Sequence, residues 1–241
     1  MDYLILCLAA LFASLLTFFS GFGLGTILTP VFAIFFPIEI AIALTGVVHF
    51  LSNIFKFVLV GKYANWNVVL KFGIPAFFAA LVGAYLLVQL SDLRPVYSYS
   101  IGSRDVFITP VKMVIAILLI FFALMEVIPR LKDLQFGRNR LVLGGVLSGF
   151  FGGLSGHQGA LRSAFLIRSG LTKESFIATG IVIACIIDIS RLGIYSARFL
   201  GTGLQENLSL VLAATLSAFA GAFVGNRLLK KVTVSSIQKV V

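Results

Sequence analysis

The feature that most constrains this chain is a succession of apolar runs as long as a bilayer is thick. A helix needs about 20 predominantly apolar residues to cross the hydrocarbon core, within a range of roughly 17 to 25. Runs of that length lie at 3–20, 39–60, 68–90, 111–129, 174–198 and 205–228. Since 59% of the 241 residues are hydrophobic and only 12% are charged, an ordinary soluble domain is excluded and the chain reads as an all-α polytopic membrane protein. Met1-Asp2-Tyr3 supplies no basic region ahead of the first run, and no small-residue cleavage site follows it. That run is therefore expected to be a retained span and not a signal peptide.

Two other apolar stretches break the pattern. Residues 24–36 are short and open on the glycine-rich SGFGLGT (20–26), while 141–168 is interrupted by GGLSGHQGALR (152–162). Lipid offers no partner to backbone N–H and C=O groups freed by a broken helix, so such breaks occur where the backbone is buried in protein or lines a cavity. Both are expected to point inward.

The two breaks belong to related segments. From Phe18, FFSGFGLGTILTPVFAIFFPIEIAIALTGVV parallels FFGGLSGHQGALRSAFLIRSGLTKESFIATGIV from Phe150. Each has two phenylalanines, a glycine-rich break, a short apolar run, a polar corner and a helix carrying Leu44-Thr45-Gly46 or Ala178-Thr179-Gly180. Downstream, Asn53 and Lys56 stand opposite Asp188 and Arg191, each pair spaced to share one helix face. The chain thus divides into a first repeat, 1–129, a basic linker, 130–140, and a second repeat, 141–241. VFITPVKMVIA (106–116) resembles VTVSSIQKVV (232–241), and the second copy stops where its helix would begin, so a final span is expected to be missing. A short amphipathic tail is the alternative.

Counting the short segments as crossings, each repeat has five, and an odd number inverts the second copy relative to the first. Placing 130–140 in the cytoplasm also puts Lys56, Lys62, Arg168, Lys173, Arg227, Lys230 and Lys231 there. Mainly Arg94, Arg104, Lys112 and Arg198 remain outside, in keeping with the positive-inside rule. The net charge of +10 is thereby explained without nucleic acid as a partner. The 91–110 segment is expected to be an ordinary outward-facing loop.

Inverted repeats with interrupted helices meeting near the midplane point to a secondary transporter. A half-helix starting near Thr26 or Ala160 presents N–H groups and the positive end of its dipole to an anion, and Gly23 and Gly25 let a ligand approach the backbone. The glycine breaks with the following ALTG and IATG are similar to those of the TauE/SafE family of sulfite and organosulfonate exporters, and the similarity covers nearly the whole chain. The resemblance implies export of small sulfur-containing anions, such as sulfite, sulfoacetate or taurine, across the bacterial inner membrane. This chain departs from the family's pattern in carrying His157, Gln158 and Arg162 where glycines and small apolar residues are commoner.

The intramembrane polar residues are the candidate site. Arg162 would hold two oxygens of a sulfonate or sulfite with its planar fork, or form a structural ion pair with Asp188. Arg191 either joins it or is neutralised by Asp188, which itself is a candidate to carry a coupling proton. His49, Thr45 and Asn53 form a polar stripe continuing to Ser52 and Lys56. Of His157 and Gln158, one is expected to face the cavity and the other to cap the half-helix. A rival reading takes Gly153-Leu154-Ser155-Gly156 as the serine motif of a rhomboid intramembrane protease, but His49 and His157 do not stand in that order. Cys7 and Cys185 sit alone in apolar runs, and no metal-ligand spacing occurs, so no cofactor or metal is expected. The partners are a small anion and the lipid bilayer; oligomeric state is not legible.

Overall fold

The computed structural model describes residues 2–20, 23–102, 104–128, 135–199 and 207–229. Nine α-helices occur among them: α1 (Asp2–Ser20), α2 (Leu24–Ala33), α3 (Ile38–Val60), α4 (Trp66–Ser91), α5 (Pro110–Val127), α6 (Leu141–Ser155), α7 (Gly159–Leu166), α8 (Lys173–Phe199) and α9 (Leu208–Leu229). The helices that contain α3, α4, α8 and α9 are long and apolar enough to cross a membrane. The expected resemblance of 232–241 to 106–116, and the missing span inferred from it, fall outside the described residues, as does most of the basic linker.

Two expectations are corrected. The 91–110 segment is not a plain loop: β1 (Tyr97–Ile101) and β2 (Arg104–Ile108) pair antiparallel, Tyr97 opposite Ile108 and Ile101 opposite Arg104. The alternation in YSYSI, followed by Gly102, which takes φ +60°, carried that signal in the sequence. The second correction concerns the short segments. At 1.5 Å per residue, α2 with 10 residues and α7 with 8 reach only about 15 and 12 Å, against a core of about 30 Å. Neither crosses alone.

The helices pack in an order that follows small residues. On α4, Leu70, Ile74, Phe78 and Val82 are exposed while Ala76, Ala80, Gly83 and Ala84 are buried. Large apolar groups thus face lipid, and small ones let a neighbour approach, since lipid tails provide no hydrophobic drive between helices. The neighbour is α6, where a Cβ on Gly145, Gly149 or Gly153 would collide with the carbonyls of Phe72, Ala76 and Ala80. The same device joins α9 to α1: a Cβ on Gly221 would strike the Leu11 carbonyl, and Ala214, Ala218 and Ala222 are buried. Between these two pairs, α3 packs on α8, α4 also on α8, and α9 also on α3.

Candidate functional site

At each break a glycine takes a left-handed backbone conformation. Gly23 precedes α2 at φ +107° and Gly156 follows α6 at φ +83°, backbone conformations that cost little only without a Cβ. The two breaks touch. A Cβ on Gly25 would lie 3.0 Å from the Gly156 carbonyl oxygen, so the first turn of α2 is seated against the end of α6. Gly25 is buried, and Gly23 and Thr26 are half-buried.

Around this junction the polar side chains form one connected network centred on Asp188 of α8. Its Oδ2 lies 2.6 Å from His49 Nδ1 of α3. Its Oδ1 accepts from Arg191 Nη2 at 2.8 Å and Nε at 3.0 Å, and from Gln158 Nε2 at 3.4 Å. Asn53 Nδ2, one turn along α3, lies 3.1 Å from His49 Nδ1 and 3.3 Å from Nε2, so the amide and the carboxylate both meet the imidazole. Arg162 Nη1 donates to Gln158 Oε1 at 3.4 Å, so Gln158 links the guanidinium of α7 to the carboxylate of α8. Gln158 occupies the N-cap position of α7, yet its side chain makes no capping bond and is turned into the network instead.

The Thr-Gly pairs at 45–46 and 179–180 acquire a physical reason here. Gly46 faces the Arg191 guanidinium, with Cζ 3.4 Å from where its Cβ would be, and Gly180 faces Arg162 Nε at 3.4 Å. Each glycine makes room for an arginine, one on α8 and one on α7. Arg191 Nη1 is buried and has no hydrogen-bond partner among the described residues; it points at Gly156, where a Cβ would lie 2.7 Å away.

A narrow cavity adjoins the network. Thr17, Phe18 and Leu24 line it from α1 and α2, His49, Asn53 and Lys56 from α3, Arg162, Ser163 and Leu166 from α7, and Phe176, Ile177, Gly180 and Ile181 from α8. It lies toward the end of the bundle where α3 finishes and α8 begins. Among the described residues its lining carries two basic side chains, Lys56 and Arg162, and no carboxylate. Both are almost completely buried, at 3% and 4% exposure. A cation at the centre of a membrane helix costs about 2.5–3.5 kcal/mol even on the mildest scale, so a pair facing one cavity favours an anionic occupant strongly.

Of the residues singled out from the sequence, His49, Asn53 and Arg162 line this cavity, and Gln158, Asp188 and Arg191 form the network beside it. Gly23, Gly25 and Thr26 build the junction between breaks. His157 lies elsewhere: it stacks on Phe122 of α5, ring centroids 5.7 Å apart, and is buried with its Nε2 unpartnered among the described residues. The positive-inside count placed Lys56 with the cytoplasmic basic residues, although it also continues the polar stripe of α3. It is instead drawn inward, Nζ donating to Thr17 Oγ1 at 3.0 Å. Tyr195, whose hydroxyl donates to the Gly153 carbonyl, was not anticipated; the signal available was a tyrosine one turn beyond Arg191.

The rhomboid reading finds no support. Ser155 Oγ is fully buried and donates to the Phe151 carbonyl of its own helix at 2.9 Å. The histidine near it, His157 Nδ1 at 3.2 Å, belongs to the same turn and has no carboxylate to orient it among the described residues. No group of three or more His, Cys, Asp or Glu is placed to hold a metal among them either.

No curated protein and no solved structure matches the chain. A family match does exist, and it spans both breaks, the network and the cavity. Residues 6–241 match the family described as Sulfite exporter TauE/SafE, so the protein is a multi-pass membrane protein that belongs to the sulfite exporter TauE/SafE family of transporters.

Proposed function

We propose that the chain exports small sulfur-containing anions, sulfite or organosulfonates, across a bacterial inner membrane by alternating access between two inverted repeats, 1–129 and 141–241. The observation that carries the reading is the cavity lined by Lys56 and Arg162 with no carboxylate among the described residues. Arg162 is the principal anion ligand: its guanidinium offers parallel donors to two oxygens of a sulfonate or sulfite. His49 and Asn53 border the same cavity and orient the guest.

The packing order supports the paired repeats. The first helix of one repeat packs on the fourth of the other in both directions, α1 on α9 and α6 on α4, and the third helices α3 and α8 meet between them. If each broken hairpin enters and leaves on one side, three crossings remain in the first repeat, and an odd count still inverts the second. Under the positive-inside rule the end bearing Lys62, Arg168, Lys173 and Arg227 is cytoplasmic. The cavity lies toward that end, so an exported anion would load there. Rocking of the α1–α9 side against the α4–α6 side about the α3–α8 contact would then turn the junction of the breaks to the opposite face.

The test is flux of sulfite and sulfonates into or out of proteoliposomes carrying the full chain, with Arg162→Ala beside the wild type. Loss of flux in the variant is expected. Wild-type protein that moves none of these anions would overturn the reading.

A further inference from the structure

We infer that Phe136, in the segment that leads from α5 into α6, is a positioning residue for the cavity: it clamps the end of α7 and so sets where Arg162 and Ser163 stand. The inference rests on the anion-transport reading of that cavity. Arg162, Ser163 and Leu166 of α7 line the cavity, and the helix that carries them has only 8 residues. A helix that short gains little from its own hydrogen bonds, so its placement depends on what holds its end. Phe136 is not among the described residues that line the cavity, and it acts through α7.

A helix leaves the carbonyls of its last turn without partners of its own, and in α7 these are satisfied one by one. The Ser163 carbonyl accepts from Ile167 N at 3.0 Å and the Leu166 carbonyl from Ser169 N at 3.0 Å. The Phe165 carbonyl accepts from Ser169 Oγ at 3.2 Å. Those donors all belong to the residues that follow the helix. The Ala164 carbonyl accepts instead from the backbone N–H of Phe136 at 3.0 Å, so a segment that precedes α6 completes the end of α7. The Phe136 ring adds a second hold by stacking on Phe165, with centroids 4.3 Å apart and planes inclined by 19°. Phe165 is buried and also rests on α6, where a Cβ on Gly144 would lie 2.4 Å from its Cγ. Its ring is therefore gripped by two parts of the chain outside α7. Gln135 contributes a further tie, its Oε1 accepting from Arg168 Nε at 2.8 Å, and the Arg140 guanidinium lies over the Phe136 ring, 5.9 Å from its centroid. Phe165 stands three residues after Arg162, so the two are neighbours on the helix surface. A rotation of α7 that unseats Phe165 also carries Arg162 and Ser163 away from the cavity. With the clamp in place the guanidinium is presented ready for an anion; without it, affinity falls in proportion to the time α7 spends elsewhere.

The experiment measures initial rates of sulfite flux against sulfite concentration in proteoliposomes carrying the full chain, for the wild type, Phe136→Ala, Phe136→Leu and Phe136→Tyr, beside the melting temperature of each. In Phe136→Ala the KM should rise by about tenfold, as it does when the competent position is held for about a tenth of the time, while maximal flux per folded protein stays within about twofold. Phe136→Leu keeps an apolar side chain but loses the stack, and its KM should lie between. Phe136→Tyr keeps the ring and should restore the wild-type KM. Should Phe136→Ala not assemble, Phe136→Leu set against Phe136→Tyr carries the same comparison. A purely structural role gives the opposite split: fewer active transporters, hence lower maximal flux and a lower melting temperature, with KM unchanged in every variant. That outcome would overturn the role of Phe136 and leave the transport reading standing. Wild-type protein that moves neither sulfite nor a sulfonate would overturn both.

Discussion

The two glycine breaks are built alike and equipped differently. The break before α2 contains Gly21, Phe22, Gly23, Leu24 and Gly25 and no charged residue. The break before α7 holds His157, Gln158 and Arg162, and Gln158 and Arg162 enter a buried polar network. Beside the break before α2, the polar groups of the cavity come from elsewhere, as His49, Asn53 and Lys56 along α3. One break therefore contributes close backbone approach and the other contributes a guanidinium, and the cavity takes its basic side chains from α3 and α7. Similar glycine spacing can place a helix break without dictating the chemistry carried beside it.

The sharpest test of that asymmetry compares Arg162→Ala with Ile27→Ala, each on the short helix that follows its break. Truncating a buried charge that meets a charged partner costs about 2–5 kcal/mol, so Arg162→Ala should lower sulfonate flux in proteoliposomes by about 30-fold or more. Ile27, partly exposed on α2, should change flux by less than about twofold. Comparable losses at both positions would mean that the two breaks share the anion equally.

A second comparison sets the network against the cavity. Asp188→Asn leaves Arg191, which is 1% exposed, without its counter-charge, and breaking a buried pair from one side costs about 3–5 kcal/mol. The melting temperature of the detergent-solubilised protein should fall clearly, and adding Arg191→Met should recover part of it. Arg162→Ala, by contrast, is expected to act mainly on flux.

The junction between breaks is a packing contact. Gly25→Val would press a side chain against the Gly156 carbonyl, already 3.0 Å from where a Cβ would lie, and overpacking of this kind costs about 1–3 kcal/mol. Reduced thermal stability together with slower flux is the expected outcome; wild-type flux would show that the breaks need not touch for transport. The smallest effect is expected at Ser155→Ala, which removes a neutral hydrogen bond to Phe151 worth about 1 kcal/mol. A variant with abolished activity there would return the serine to a chemical role.

Much of the architecture was legible because membrane insertion imposes a length rule. The runs at 39–60, 68–90, 174–198 and 205–228 correspond to α3, α4, α8 and α9 within a few residues. The i, i+3 pair of Asp188 and Arg191 was also legible, since a helix fixes that spacing. What failed were judgements that depend on a partner helix. His157 and Gln158 are sequence neighbours with similar chemistry, and only the packing of α5 against the break turned His157 onto Phe122 and left Gln158 facing Asp188. Lys56 counts with the cytoplasmic basic residues in the sequence because nothing local shows Thr17 waiting 39 residues away. The hairpin at 97–108 was missed for another reason: the length rule drew attention to helices, although the alternation was visible.

By itself the sequence determined that this chain lies in a membrane, where its helices are interrupted, and which few residues must be sheltered from lipid, because burial of apolar length and satisfaction of backbone groups are local requirements. The tertiary structure alone decided which cations share a cavity and which are cancelled. His49 and Asp188 lie 139 residues apart in the chain and 2.6 Å apart in space. Electrostatic compensation depends on distance between charges, and sequence spacing sets that distance only within a helix.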